Sequence, residues 1–328
     1  MSVRDLQSGE PVDLVLLVGE VERRQKSDGK EFLRVALGDR TGSLRCMVWD
    51  EVGPTLELVV AGRPVRVSGR FEVNERYGPQ IARPQFAPAE EGTFDPAQLA
   101  PSPPRPADQL EAELRELVAT VHAAPLAELL ERLLGPESAT WERFRDAPAA
   151  KHYHQAYRHG LLEHSLTVAQ SVGAIAATFP GIDRDIAVTG ALLHDIGKTE
   201  AYAMDGPAIE MTEAGRLQGE IPLGYTIVRR AMEEVDDFPP ELALHLGHII
   251  LAHHGSLEHG SPVVPQTREA TLVHMLDNLG GRLGSFDRLE RALAPGSAWS
   301  QYDSGIGASA FFPPGEDQTP APRELSAA

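Results

Sequence analysis

Cysteine is nearly missing from this chain, with Cys46 alone among 328 residues. One thiol excludes an internal disulfide framework and any thiolate metal cluster. Long hydrophobic runs are missing too; nothing approaches the ~20 apolar residues that a membrane-spanning helix needs. The first residues, MSVRDLQSGEPVD, lack the basic start and apolar core of a secretory signal. These absences predict a cytoplasmic protein with no membrane partner. A surplus of positive charge is also absent, since the formal net charge is −18. Tight, salt-dependent wrapping of duplex nucleic acid is therefore not expected. The deficit is uneven. Residues 1–88 carry 13 Lys+Arg against 13 Asp+Glu, whereas the remaining 240 carry 17 against 35. A neutral N-terminal part thus precedes an acidic body, and a hydrophobic share of 42% suffices for packed cores.

Residues 11–86 read as short alternating strands: VDLVLLVGEVERR, KEFLRVALGD, SLRCMVWD, RPVRVSGRFEV and YGPQIARPQF, with a helix at EVGPTLELVVAG. The turn residues SDGK, DRTG and ERYG separate them, as hairpins require. Five strands with a helix between the third and fourth give the order of an OB-fold barrel, expected over 1–88. Residues 89–107 hold Pro96, Pro101, Pro103, Pro104 and Pro106 and predict a semi-rigid linker without helix. From Asp108 the period becomes helical, with Leu110, Leu114, Leu117, Val118 and Val121 at three- and four-residue steps. A second helix is expected from Pro125 to about Gly135, and others at 162–178, 183–194, 222–235, 239–254 and 267–291. The fold class is thus multidomain α and β: a five-stranded OB-fold β-barrel, then an all-α bundle over 108–293. A C-terminal extension, 294–328, is expected to be partly disordered. Its Trp299, Tyr302, Phe311 and Phe312 would clip it to the body. The Leu-rich helices at 108–134 and this aromatic tail also hint at a homo-oligomer.

The chemistry concentrates in the helical part. In VTGALLHDIGK an apolar helix runs into His194 and Asp195 and is broken by Gly197. A carboxylate at such an end is costly to bury without a partner, and a cation is the simplest one. Upstream, GLLEHSLTVAQ places His164 near a helix start. Downstream, HIILAHHGS places His253 and His254 just before Gly255, expected past the helix end. In TLVHMLDNLGGRL, Asp277 falls among residues of a packing face. A lone buried His is more often a hydrogen-bonded core residue, and a lone helical Asp is usually solvated. That account must be repeated for each of these residues, whereas one metal site explains them together.

The order H…HD…HH…D resembles the HD superfamily of metal-dependent phosphohydrolases. Within it, GLLEHSL, ALLHDIGK, ILAHHGSLEHGSP and EATLVHMLDNLGGRL resemble the YhaM-type 3′→5′ exoribonucleases, which also carry an N-terminal OB domain. The resemblance implies a helical catalytic domain, a divalent metal and processing of short single-stranded RNA or DNA. Manganese is the leading ion, with magnesium, cobalt, iron(II) and nickel as alternatives, and two ions are expected. By that resemblance His164, His194, Asp195 and Asp277 hold the first metal. His253 and His254 hold a second, bridged by Asp195. Lys198 would contact a substrate phosphate, and His154 in HYHQAYRHG would line the substrate path. His154 or His159 would protonate the leaving oxygen. One departure stands out: Glu220 in GRLQGEIPLG occupies the place of a family histidine. A carboxylate there still binds a cation and favours harder ions over zinc; alternatively it turns outward and weakens the second site.

The barrel offers a separate clue. Leu33, Val35, Leu37, Leu44, Cys46 and Val48 should fill it, leaving Phe32, Arg34, Arg45, Met47 and Trp49 outside. Aromatics beside arginines suit stacked bases and paired phosphates, so Phe32, Arg34, Arg45 and Trp49 are the expected nucleic-acid contacts. Two other activities stay open on the residues: an HD-type nucleotide or cyclic-dinucleotide phosphohydrolase, and a nucleic-acid-binding protein with a vestigial HD site.

Overall fold

Alternation of apolar and polar residues builds the first half of the chain, and three-to-four periodicity builds the second. The computed structural model describes residues 2–26, 28–74, 78–99, 105–151, 155–205, 208–291, 293 and 297–313. It divides into two compact units, 1–95 with 285–328, and 96–284. The expected disorder of the tail past Pro313 falls on residues outside the described ones.

In the first unit, β1 (Pro11–Gln25), β2 (Glu31–Asp39), β3 (Gly42–Val48), β4 (Pro64–Asn74) and β5 (Gly78–Pro88) close a barrel in the order β1-β2-β3-β5-β4. Helix α1 (Val52–Leu58) joins β3 to β4, as an OB-fold requires. The period-2 pattern sets the register: Leu33 pairs with Val48, Val35 with Cys46 and Leu37 with Leu44. All six are buried inside. A slip by one residue would turn the whole set outward.

The expected linker is less irregular than its prolines suggested. A four-residue helix, α2 (Pro96–Leu99), lies within it. Proline is tolerated at a helix start because its missing N–H has no partner there anyway. In the second unit, α3 (Ala107–Val118), α4 (Ala124–Leu134) and α5 (Trp141–Asp146) precede the motif-bearing helices. Leu110, Leu114, Leu126, Leu129, Leu130, Leu133 and Leu134 are all buried in this unit's own core. The Leu-rich stripes are therefore intramolecular, and they do not support the oligomer that they hinted at. Each such side chain contributes ~1.5–3 kcal/mol on burial.

Next come α6 (Gly160–Ala176), α7 (Arg184–Leu193) and the single turn α8 (Lys198–Ala201). A hairpin of β6 (Tyr202–Asp205) and β7 (Ala208–Met211), which sequence reading did not anticipate, adds two strands to the helical body. Helices α9 (Glu213–Gln218), α10 (Glu220–Glu233), α11 (Pro240–Ala252) and α12 (Arg268–Arg291) complete it. The aromatic tail mostly packs on itself. Trp299 bridges to Phe311 with ring centroids 5.0 Å apart, and Trp299, Tyr302 and Phe311 stay exposed. Phe312 alone of the four meets another aromatic ring, Phe286, at 6.4 Å.

Candidate metal centre

Helix ends deliver most of the site. Helix α7 starts at Asp183, whose carboxylate caps the Ile186 N–H at 3.1 Å, and it stops at His194. Asp195 follows, and Gly197 then lets α10 approach. A Cβ at Gly197 would lie 2.0 Å from the Glu220 carbonyl oxygen and 2.5 Å from the Gly224 nitrogen. That close passage sets Glu220, the first residue of α10, beside Lys198. Helix α11 ends at Ala252, so His253 and His254 leave it together, and Gly255 turns the chain at φ +81. A Cβ there would be both strained and 2.1 Å from the His274 ring. His164 comes from α6 and Asp277 from α12.

Two donor groups result. His164, His194 and Asp277 form one, and Asp195, Glu220, His253 and His254 form the other; within each, one ligand atom per residue lies within 4.8 Å of the rest. Asp195 faces both. Its Oδ2 is 3.3 Å from His164 Nε2 and 3.4 Å from His194 Nε2, while its Oδ1 is 3.4 Å from His253 Nε2. Asp277 Oδ1 lies 3.1 Å from His164 Nε2, and His254 Nε2 lies 3.4 Å from Glu220 Oε1. Lys198 Nζ donates to Asp195 Oδ2 at 2.7 Å and stands 3.9 Å from Glu220 Oε1. His194, Asp195 and His253 are buried, whereas His254, Glu220 and Asp277 are partly open to solvent.

These residues fit divalent cations. Asp195 Oδ1 and His253 Nε2 are buried without any hydrogen-bond partner, because 3.4 Å is too long for one. His194 Nδ1 faces the Ala191 carbonyl and must donate to it, so its Nε2 is bare in the neutral ring. Yet His164 Nε2 and His194 Nε2 face each other at 3.3 Å. Two bare lone pairs at that distance repel unless a cation or proton lies between them. In the metal-free protein a proton does so. Burial alone would depress the His194 imidazolium, but the charges of Asp195 and Asp277 overcome it and raise the group to about 9. Burial likewise opposes ionisation of Asp195, and the Lys198 ammonium and His194 nonetheless hold its carboxyl well below the usual range. Asp277 is held low against burial by the His164 hydrogen bond and the His194 charge. Glu220 is lowered, against burial, by Lys198 and then by His254. Burial pushes His253 down, which keeps it a neutral donor.

Comparison with known proteins agrees with this geometry. Residues 161–281 match the HD domain model and residues 15–87 match an OB-fold nucleic acid binding domain. The chain is 31% identical over 292 residues to the 3'-5' exoribonuclease YhaM of Geobacillus sp. (strain WCH70), covering 88% of this chain and 87% of that one. The chain belongs to the YhaM exoribonuclease family.

Every ligand that the YhaM resemblance implied falls in one of the two groups, Glu220 included, so this carboxylate faces inward. Lys198 adjoins both carboxylates of the second group. His154 lies outside the described residues. His159 turns Nδ1 toward the Arg145 carbonyl at 2.9 Å and Asp146 at 3.4 Å. On the barrel, Phe32 and Trp49 stack at 4.8 Å, Lys26 Nζ sits 4.4 Å over the Trp49 ring, and Arg45 is exposed. Arg34 is instead engaged by Glu22 of β1, which leaves it less available to a phosphate. Two neighbours of the centre escaped sequence reading. Gln155 Oε1 lies 3.1 Å from His164 Nδ1. Tyr202 has its phenol raised by burial and by the nearby charge of Glu220. Only the polar character of HYHQAYRHG, just before a buried helix, signalled the first of them.

Proposed function

We propose that this protein removes nucleotides from the 3′ end of single-stranded RNA, and of single-stranded DNA as a second substrate, by phosphodiester hydrolysis at a two-ion centre. One observation carries the reading: Asp195 presents one oxygen to each of two adjoining donor groups, and its Oδ1 has no hydrogen-bond partner. His164, His194 and Asp277 would hold one ion. Glu220, His253 and His254 would hold the other, with Asp195 shared. Oxygen and imidazole donors without sulfur suit manganese first, and then magnesium, cobalt, iron(II) or nickel. Bound ions supply Lewis acidity, lowering the pKa of an attacking water and neutralising phosphate oxygens.

The chain's own groups do the rest. Burial of His194, Asp195 and His253 excludes bulk water from the inner side and strengthens each charge there. Lys198 stays an ammonium, its pKa raised by Asp195 and Glu220 against the effect of burial. In that position it offsets charge that builds on the phosphoryl oxygens. Phe32 and Trp49 would stack bases, Arg45 would meet phosphates, and His154 remains the candidate for the strand's path. The name of the Geobacillus relative and the description of the OB-fold model support a single-stranded RNA substrate.

A linear RNA and its covalently closed circle, incubated with manganese and separately with EDTA, test this function. The linear strand should disappear only with manganese, and the circle should persist. Cleavage of the circle would make the enzyme an endonuclease. Survival of both strands would point to a nucleotide phosphohydrolase instead.

A further inference from the structure

We infer that Gln155 is a positioning residue for the metal centre, fixing the tautomer and aim of His164 through an amide–imidazole hydrogen bond. The inference rests on the proposed role of His164 as a ligand. All four imidazoles of the centre have Nδ1 against an oxygen and Nε2 turned inward. His194 Nδ1 meets the Ala191 carbonyl at 2.7 Å, His253 Nδ1 the Ile250 carbonyl at 2.7 Å, and His254 Nδ1 the His259 carbonyl at 2.9 Å. The first two follow from where those residues stand. A helix ends with carbonyls that have no partner within it, and His194 and His253 close α7 and α11 within reach of the carbonyl three residues back.

His164 has no such carbonyl. It lies within α6, where main-chain oxygens are committed to the helix. Its Nδ1 therefore needs an acceptor from elsewhere, and Gln155 Oε1 stands there at 3.1 Å. The segment around Gln155 is built to hold it. Gln155 is left-handed at φ +56, a conformation of real cost for a side chain with Cβ. Its carbonyl accepts the Ala149 N–H at 3.1 Å, and Tyr157 Oη donates to Glu163 Oε2 at 2.6 Å. Gly160 passes so close that a Cβ would be 2.0 Å from the Gln155 oxygen. Three of the four ligand tautomers are thus set by main chain, and only this one by a side chain that a substitution can change.

Outer hydrogen bonds of this kind are worth about 10- to 100-fold in metal affinity. The test compares the wild type with Gln155→Leu, which lacks the acceptor, and Gln155→Glu, which keeps one. Two readouts are taken on the full chain: manganese titration by calorimetry, and long-range 1H–15N spectra that report each histidine tautomer in the metal-free protein. Gln155→Leu should bind manganese about 10- to 100-fold more weakly and lose the Nδ1–H form at His164, with His194 and His253 unchanged. Gln155→Glu should restore both. Unchanged affinity in Gln155→Leu, an Nε2–H tautomer at His164 in the wild type, or failure of Gln155→Glu to rescue would each overturn the assignment. A wild type that binds no manganese would overturn the metal centre itself, while the tautomer readout would still judge Gln155.

Discussion

Removal of the Lys198 ammonium tests the centre's electrostatics without removing a ligand. In Lys198→Met the aliphatic stem is largely kept and the charge is lost. The ammonium sits 2.7 Å from Asp195 Oδ2, and both side chains are largely buried. At an effective dielectric constant of 20, that pair is worth about 6 kcal/mol of attraction. Part is recovered because the ammonium no longer has to be desolvated. Breaking a buried pair on one side costs about 3–5 kcal/mol, since the surviving charge is left uncompensated. For a unit the size of 96–284, each kcal/mol moves the melting temperature by roughly 2–4 °C. Metal-free Lys198→Met should therefore melt roughly 6–20 °C below the wild type. Saturating manganese should erase more than half of that deficit, because the ion supplies the positive charge that Asp195 and Glu220 have lost. Turnover should remain impaired, since Lys198 no longer faces the phosphate. Calorimetric melts with EDTA and with manganese measure both numbers. An equal deficit in the two conditions would refute the reasoning, because it would mean that no cation occupies the space beside Asp195.

Metal affinity should also depend on pH. His194 holds its proton up to about 9 in the metal-free protein and must surrender it to ligate. Apparent manganese affinity should thus rise up to about tenfold per pH unit between 6 and 9 and level off above, with one proton released per ion at His194. Titrations in buffers of different ionisation enthalpy would show this, and a flat profile would contradict it. Trp49→Ala should weaken binding of single-stranded RNA by about 1–3 kcal/mol per lost stack and leave manganese affinity unchanged, as measured by fluorescence anisotropy. Burial in the barrel pushes the Cys46 thiol up to about 12. Iodoacetamide at pH 8 should therefore label the native protein slowly and the urea-unfolded protein fully; rapid native labelling would speak against a closed barrel.

The barrel was legible because its alternation leaves little choice of face: Leu33, Val35, Leu37, Leu44, Cys46 and Val48 could not all point outward. The ligands were legible because His194, Asp195, His253 and Asp277 interrupt otherwise apolar helices. Geometry between elements was not legible. That Glu220 turns inward depends on a glycine at 197, which admits the start of α10 within van der Waals distance. Pairing of Arg34 with Glu22 depends on strand register, which brings these two residues opposite one another across β1 and β2. The β6–β7 hairpin was missed because its four-residue strands are too short for a period to show. The Leu-rich stripes read equally well as core or as interface, and only their burial decided between them.

The most direct test of the central claim is a timed digestion of a 5′-labelled single-stranded RNA with manganese, with EDTA, and with Asp195→Asn protein in manganese. Asp195 serves both donor groups, so its loss should stop the reaction as completely as chelation does. The account predicts a ladder shortening from the 3′ end in the first reaction and intact strand in the other two. The same ladder from the Asp195→Asn protein, or from the wild type in EDTA, would contradict it.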